Sequence, residues 1–229
     1  MRQKKVLVSL GISLIVFISL LFVIGTPKRV LSFPDPYLKE ALIQVGVDSN
    51  DDGNISEEEA LDLKELYLEG SLIVDLTGIE HFKNLEVLGL DQNLIESIGP
   101  LKHLTNLKRL WMEQNKIKSI DSLSRLTHLE VIHVSGNQIR DLDGLQFLNN
   151  LQELYANNNN ITDISSLTGL KELRRLHMFN NQIEDVSSLL QVENLQEFQL
   201  GLNPINNFEV LREHPNYKEY WESQIQANY

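Results

Sequence analysis

The sequence has no cysteine, which excludes disulfides, zinc-cysteine sites and thiol nucleophiles in one step and leaves no thiol for lipid attachment. It also lacks the short signatures of common catalysts. No Gly-rich phosphate loop, no His-Glu-x-x-His pair and no Gly-x-Ser-x-Gly elbow occurs, so no enzymatic activity is expected. Acidic residues are missing from the first 32 positions, where five of the 20 basic residues lie: Arg2, Lys4, Lys5, Lys28 and Arg29. The remainder therefore sets 15 basic against 32 acidic residues, a net charge of −17. Such a balance argues against nucleic acid as the main partner, since a phosphate backbone must be met by clustered Lys and Arg. Basic partners or divalent cations fit better. Aromatic residues amount to only 7%, so any column of rings is a departure from the background.

What is present begins with MRQKK followed by Val6 to Gly25, 20 residues without a charge. That is the length of a spanning helix and longer than the apolar core of a cleavable signal peptide, and FVIGTP offers a poor cleavage site. Residues 1–32 are read as a signal anchor. The positive charge ahead of the apolar run places the N-terminus in the cytoplasm and the rest of the chain outside a cell membrane. If the segment is cleaved, the product is secreted.

The strongest regularity lies further on. Leu85, Leu107, Leu129, Leu151, Leu173 and Leu195 are spaced 22 apart, and so are Asn93, Asn115, Asn137, Asn159, Asn181 and Asn203. In the third unit the apolar set is Leu107, Leu110, Met112, Ile117, Ile120, Leu123 and Leu126. Its first part alternates with period two and reads as a short strand; the later part steps by three, which suits a 3₁₀-like or irregular return. An asparagine at the bend can satisfy backbone groups that the turn leaves unpaired, and stacked copies form a ladder. Seven units span residues 63–211, with Ser71 in the asparagine place of the first. Before them, residues 33–62 hold Asp35 as a helix N-cap, Pro36 at the first helical position and the stripe Tyr37, Leu38, Ala41, Leu42 and Val45. A stack of such units needs apolar covers at its ends. This helix is expected to cap one end, and residues 212–229, with Tyr217, Tyr220, Trp221 and Ile225 at helical spacing, the other.

The 22-residue unit resembles the leucine-rich repeat, in particular the short internalin-type class of bacterial surface proteins. That resemblance implies an α/β solenoid, a curved stack with a parallel β-sheet on its concave face and helical caps at both ends, which recognises a partner through that face. A monomer is expected.

Between the cap helix and the first unit, DSNDDGNISEEE, residues 48–59, resembles the twelve-residue EF-hand loop. Asp48, Asn50 and Asp52 occupy positions 1, 3 and 5, Gly53 the sharp turn, Ser56 position 9 and Glu59 position 12, with the carbonyl of Asn54 between. Hard Ca²⁺ takes six to eight oxygens, and this spacing wraps them around one point. Ser56-x-x-Glu59 is also a helix capping box, which accounts for those two residues alone. No second loop occurs, so a structural Ca²⁺ site that fastens the cap is expected rather than a calcium sensor.

Residues between the strand leucines point away from the core. The central column reads Tyr67, Gly89, Trp111, His133, Tyr155, His177 and Gln199. One flank holds Arg109, and the other Glu69, Asp91, Glu113, Ser135, Asn157, Phe179 and Gly201. Rings are common anchors in protein interfaces, and the acidic start of the second flank suits a basic segment. The face, on the order of 30 Å long at about 4.8 Å per strand, is large enough for a protein surface or an extended peptide. Carbohydrate or cell-wall binding through the same rings is the alternative. Against both stands the possibility that the rings only stack on one another and stabilise the sheet. His133 and His177, two units apart, stand about 10 Å from each other by the strand spacing, too far to share a metal.

Overall fold

The computed structural model describes residues 28–218 and 221–222. The predicted membrane segment at 6–25, and Tyr220 and Ile225 of the predicted closing helix, lie outside these. Among the described residues no helix is long and apolar enough to cross a membrane.

The chain opens with helix α1 (Pro36–Gln44) and helix α2 (Glu57–Asp62) and then lays down seven three-residue strands. These are β1 (Glu65–Tyr67), β2 (Val87–Gly89), β3 (Arg109–Trp111), β4 (Val131–His133), β5 (Glu153–Tyr155), β6 (Arg175–His177) and β7 (Glu197–Gln199). They form one unclosed parallel sheet in chain order. Each residue pairs with the one 22 positions later, as Leu66 does with Leu88 and Leu110 with Ile132. The sequence spacing is therefore the sheet register, and it follows that residues equivalent in the repeat stand in columns. Parallel neighbours need a crossover. Here it is short: 3₁₀ turns such as Asp121–Arg125 and Ser187–Gln191 return the chain, each burying one leucine, Leu123 and Leu189.

The core is a stack of layers. Leu107, Leu110, Met112, Ile117, Ile120, Leu123 and Leu126 are all fully buried, and the corresponding rows run without a gap from the cap to Leu211. Burial of apolar side chains stabilises each layer only because the next one covers it.

The buried asparagines join the layers. Asn137 accepts from the Ile117 amide at 3.0 Å and donates to the carbonyls of Met112 at 2.8 Å and Val134 at 2.9 Å. Asn93, Asn115, Asn159, Asn181 and Asn203 repeat the pattern. In the first coil Ser71 makes no such rung; its amide instead donates to Asn93. The residue before each asparagine is in the left-handed region, at Gln92, Gln114, Gly136, Asn158, Asn180 and Leu202. The bend demands it; Gly136 adopts it freely and Asn158 and Asn180 tolerate it, whereas Gln92, Gln114 and Leu202 hold it at a cost.

At the N-terminal end α1 covers the stack with Leu38, Ala41 and Leu42. Tyr37 and Val45, expected in the same stripe, are about half exposed. Asp35 caps α1 through the Tyr37 amide at 2.8 Å, and its other oxygen accepts from Val74 at 2.7 Å and Asp75 at 2.9 Å in the first coil. One buried carboxylate thus ties the cap helix to the repeats. At the far end Trp221 is fully buried against Phe198 and His214, and its indole N–H donates to the Gln196 carbonyl. His214, standing where a leucine is expected, is buried and bonds the Val192 carbonyl at 3.1 Å. The described part of this cap consists of the 3₁₀ turn Phe208–Glu213 and a helical stretch at Trp221 and Glu222.

Candidate binding face of the sheet

Because the register is 22, every outward column predicted from the sequence is a physical column. Along the centre, ring centroids stand 6.4 Å apart for Tyr67 and Trp111, 6.0 Å for Trp111 and His133, 4.1 Å for His133 and Tyr155, and 4.8 Å for Tyr155 and His177. Tyr67 reaches Trp111 across Gly89, where a Cβ would lie 2.9 Å from the Tyr67 ring. Phe179 likewise lies over Gly201, where a Cβ would meet its ring at 3.2 Å. The rings lean on one another, so Trp111, His133, Tyr155 and His177 are only partly exposed, while Tyr67 is 48% and Phe179 40% exposed. Stacking and display coexist: the column stabilises the sheet and still presents a band of ring surface.

The two ends of the face differ electrostatically. In coils five to seven the polar groups satisfy each other. Arg175 pairs with Glu153 at 2.6 Å and Glu197 at 3.1 Å, the Tyr155 hydroxyl donates to Glu153 at 3.0 Å, and His177 meets Glu197 at 3.1 Å. Burial pushes the Glu197 carboxyl up, but its bonds to His177 and Arg175 prevail and hold it below its ordinary value. In coils one to three no such closure exists. Among the described residues, Glu69 and Asp91 have no Lys, Arg or His partner, and Glu113 meets only His133, at 3.4 Å. Asp91 accepts from the Glu113 amide at 2.6 Å. Burial, reinforced by the Glu113 and Glu69 charges, nonetheless holds its carboxyl above the ordinary value. Arg109, on the other flank, has no ion-pair partner among the described residues. Burial lowers the pKa of His133 against the pull of Glu113. Ser135, next in the acidic column, carries the one buried side-chain polar atom with no hydrogen-bond partner among the described residues.

The predicted metal loop is closed on itself. Asp48 accepts from the amides of Asp52 at 3.2 Å and Gly53 at 2.7 Å, and Asn50 from Asp52 at 2.9 Å. Glu59 accepts from the Ser49 amide at 3.0 Å, Asn50 at 3.2 Å and both the amide and the hydroxyl of Ser56. The Ser56–Glu59 capping box is present and starts α2. Burial opposes ionisation of Glu59, but the Ser56 and Ser49 bonds outweigh it and bring its pKa to about 2. Ile55 is fully buried and its carbonyl accepts from Leu31, so the loop pairs with the segment that follows the predicted membrane run. Among the described residues no three carboxylate or imidazole groups converge as a metal site by themselves.

Sequence reading missed a second ladder, on the flank of the stack. Asn84, Asn106, Asn150, Asn194 and Asn216 each donate to a carbonyl of the preceding coil, Asn150 to Thr127 at 2.8 Å, and His128 takes the same place. The signal was available: these residues share one 22-residue register, broken by Glu172, and all but Asn216 stand just before the repeat leucine.

A model of Leucine Rich repeats (2 copies) matches residues 105–147 and 149–191. The coils in these two ranges are leucine-rich repeats, and the coils on either side continue the same 22-residue register. Its structure is similar to that of an internalin of Listeria monocytogenes, with a TM-score of 0.64 at 26% identity, over 84% of this chain and 64% of that one. A leucine-rich repeat protein of Leptospira interrogans gives 0.63 at 27% identity, over 72% of this chain and 50% of that one. The chain thus spans less than two thirds of the length of either. No curated protein matches it.

Proposed function

We propose that this chain is a non-catalytic recognition module, held at the cell membrane by its first 32 residues with the repeats outside, which binds a protein or extended peptide across the outward face of its sheet. The observation that carries this reading is the continuous ring column from Tyr67 to His177, bordered by Glu69, Asp91 and Glu113 on one side and Arg109 on the other. Phe179 extends the apolar surface towards the last coils. Large, rigid rings contribute contact area at low entropic cost, and charges beside them set register. Rings that lean on one another offer edges and tilted faces rather than one open platform, which favours a protein partner over a sugar. The test is affinity capture with the full chain against a Trp111→Ala, Tyr155→Ala double variant of equal thermal stability. Partners are expected to be lost from the variant; partners retained equally by both would remove the ring column from the site.

A Ca²⁺ ion in the loop is the second part of the proposal. The donor set fits a hard cation: Asp48, Asn50 and Asp52 side chains, the Asn54 carbonyl, Ser56 and Glu59 supply oxygen only. Bonds from Ser49 and Asn50 hold Glu59 next to the start of the loop, and Glu59 would exchange them for the metal. The ion would fasten α1 and α2 to the first coil. Excess calcium is expected to raise the melting temperature over that in chelator, and an unchanged value would sink the assignment.

A further inference from the structure

The two ends of the sheet face are chemically different, and the difference gives the bound segment a direction. We infer that the partner is a protein segment bearing one lysine or arginine, seated at coils one to three against the row Glu69, Asp91 and Glu113 beside Tyr67 and Trp111, and one apolar side chain that reaches Phe179. This inference rests on the proposed recognition through the sheet.

The argument is one of charge complementarity. Coils one to three present four outward carboxylates, Glu65, Glu69, Asp91 and Glu113, against the single cation Arg109. Glu65 is engaged by the Tyr67 hydroxyl at 3.2 Å, and Arg109 stands four residues from Glu113 along the same strand, about 13 Å away in an extended chain. Among the described residues that leaves the acidic row with no lysine or arginine partner, His133 alone meeting it at Glu113, next to half-exposed Tyr67 and partly exposed Trp111. A cation there meets carboxylates on one side and ring faces on the other, the two environments that attract it. Coils five to seven repel this arrangement. Their two carboxylates, Glu153 and Glu197, are already bridged by Arg175, so a second cation would be placed beside a bound guanidinium. What that end offers is the exposed Phe179 ring over Gly201.

Asp91 and Phe179 are four strands apart, about 19 Å, or roughly six residues of extended chain. The experiment is selection of a random dodecapeptide phage library on the full chain, followed by titration of one selected peptide against variants. Selected peptides are expected to share a Lys or Arg and an apolar residue about six positions away. Binding should fall at least tenfold in Glu69→Gln, Glu113→Gln, several-fold in Phe179→Ala, and less than twofold in Gln199→Ala; added salt should weaken the native complex more than the Glu69→Gln, Glu113→Gln one. Peptides without a basic residue, or binding that depends on Trp111 and Tyr155 yet ignores Glu69→Gln, Glu113→Gln, would overturn the inference while leaving recognition by the sheet intact. Binding indifferent to every one of these variants, or no selected peptide at all, would overturn both.

Discussion

Two ladders of side chains join successive coils, both on a 22-residue period, and they differ in how deeply they are buried. The inner ladder, Asn93 to Asn203, lies almost wholly buried except at its last rung, and each rung satisfies an amide and two or more carbonyls. The outer ladder, Asn84 to Asn216, lies at the surface, and each rung makes one bond. The outer place tolerates His128, and at Glu172 no rung is made; the inner place is asparagine in six coils running and changes only in the terminal coil, to Ser71. Burial explains the difference in strictness. A buried backbone group that loses its partner keeps its full desolvation penalty, whereas an exposed one turns to water.

This comparison can be broken in graded steps. Asn137→Ala is expected to have the largest effect, about 3 kcal/mol or more by urea unfolding, because it strands the Ile117 amide and the Met112 and Val134 carbonyls inside the stack. Asn137→Asp should be nearly as harmful, since a carboxylate accepts but does not donate. Asp35→Ala removes a helix cap and the tie to Val74 and Asp75 together, and a loss of about 2 kcal/mol is expected. Acid sharpens the same point. Glu59 is held at about 2 against an ordinary 4.5, and Asp35 is also lowered by the amides it accepts, burial notwithstanding. Both contribute stability that is present above the ordinary carboxylate range and lost in acid, that of Glu59 as pH falls from about 4.5 towards 2. Glu59→Gln should flatten that part of a melting temperature against pH curve; an unchanged slope would show that the cap carboxylates do not govern acid unfolding. The smallest effect is expected from Asn150→Ala, under about 1 kcal/mol. Should it cost as much as Asn137→Ala, burial is not what separates the two ladders.

Much of the molecule was legible because a repeat states its own register. Spacing of 22 between Leu107 and Leu129 already implies that Trp111 stands beside His133, and the structure places them so. The cap helix was legible from Asp35 and Pro36, but its tie to Val74 and Asp75, 39 and 40 positions away, was not, since local patterns carry no such range. Exposure was less legible still. Outward alternation predicts which rings leave the core, but their half-burial depends on neighbours in the next coil, such as Gly89 making room for Tyr67.

The sequence by itself determined the coil, its repetition and its columns, because apolar period and fixed spacing leave one way to bury every leucine. Only the tertiary structure decided which polar groups close on each other. Arg175 is held by Glu153 and Glu197, whereas among the described residues the row Glu69, Asp91 and Glu113 pairs with no lysine or arginine and meets only His133, at Glu113. Pairing of that kind depends on side-chain reach across neighbouring strands, a matter of a few ångströms that a linear spacing does not contain.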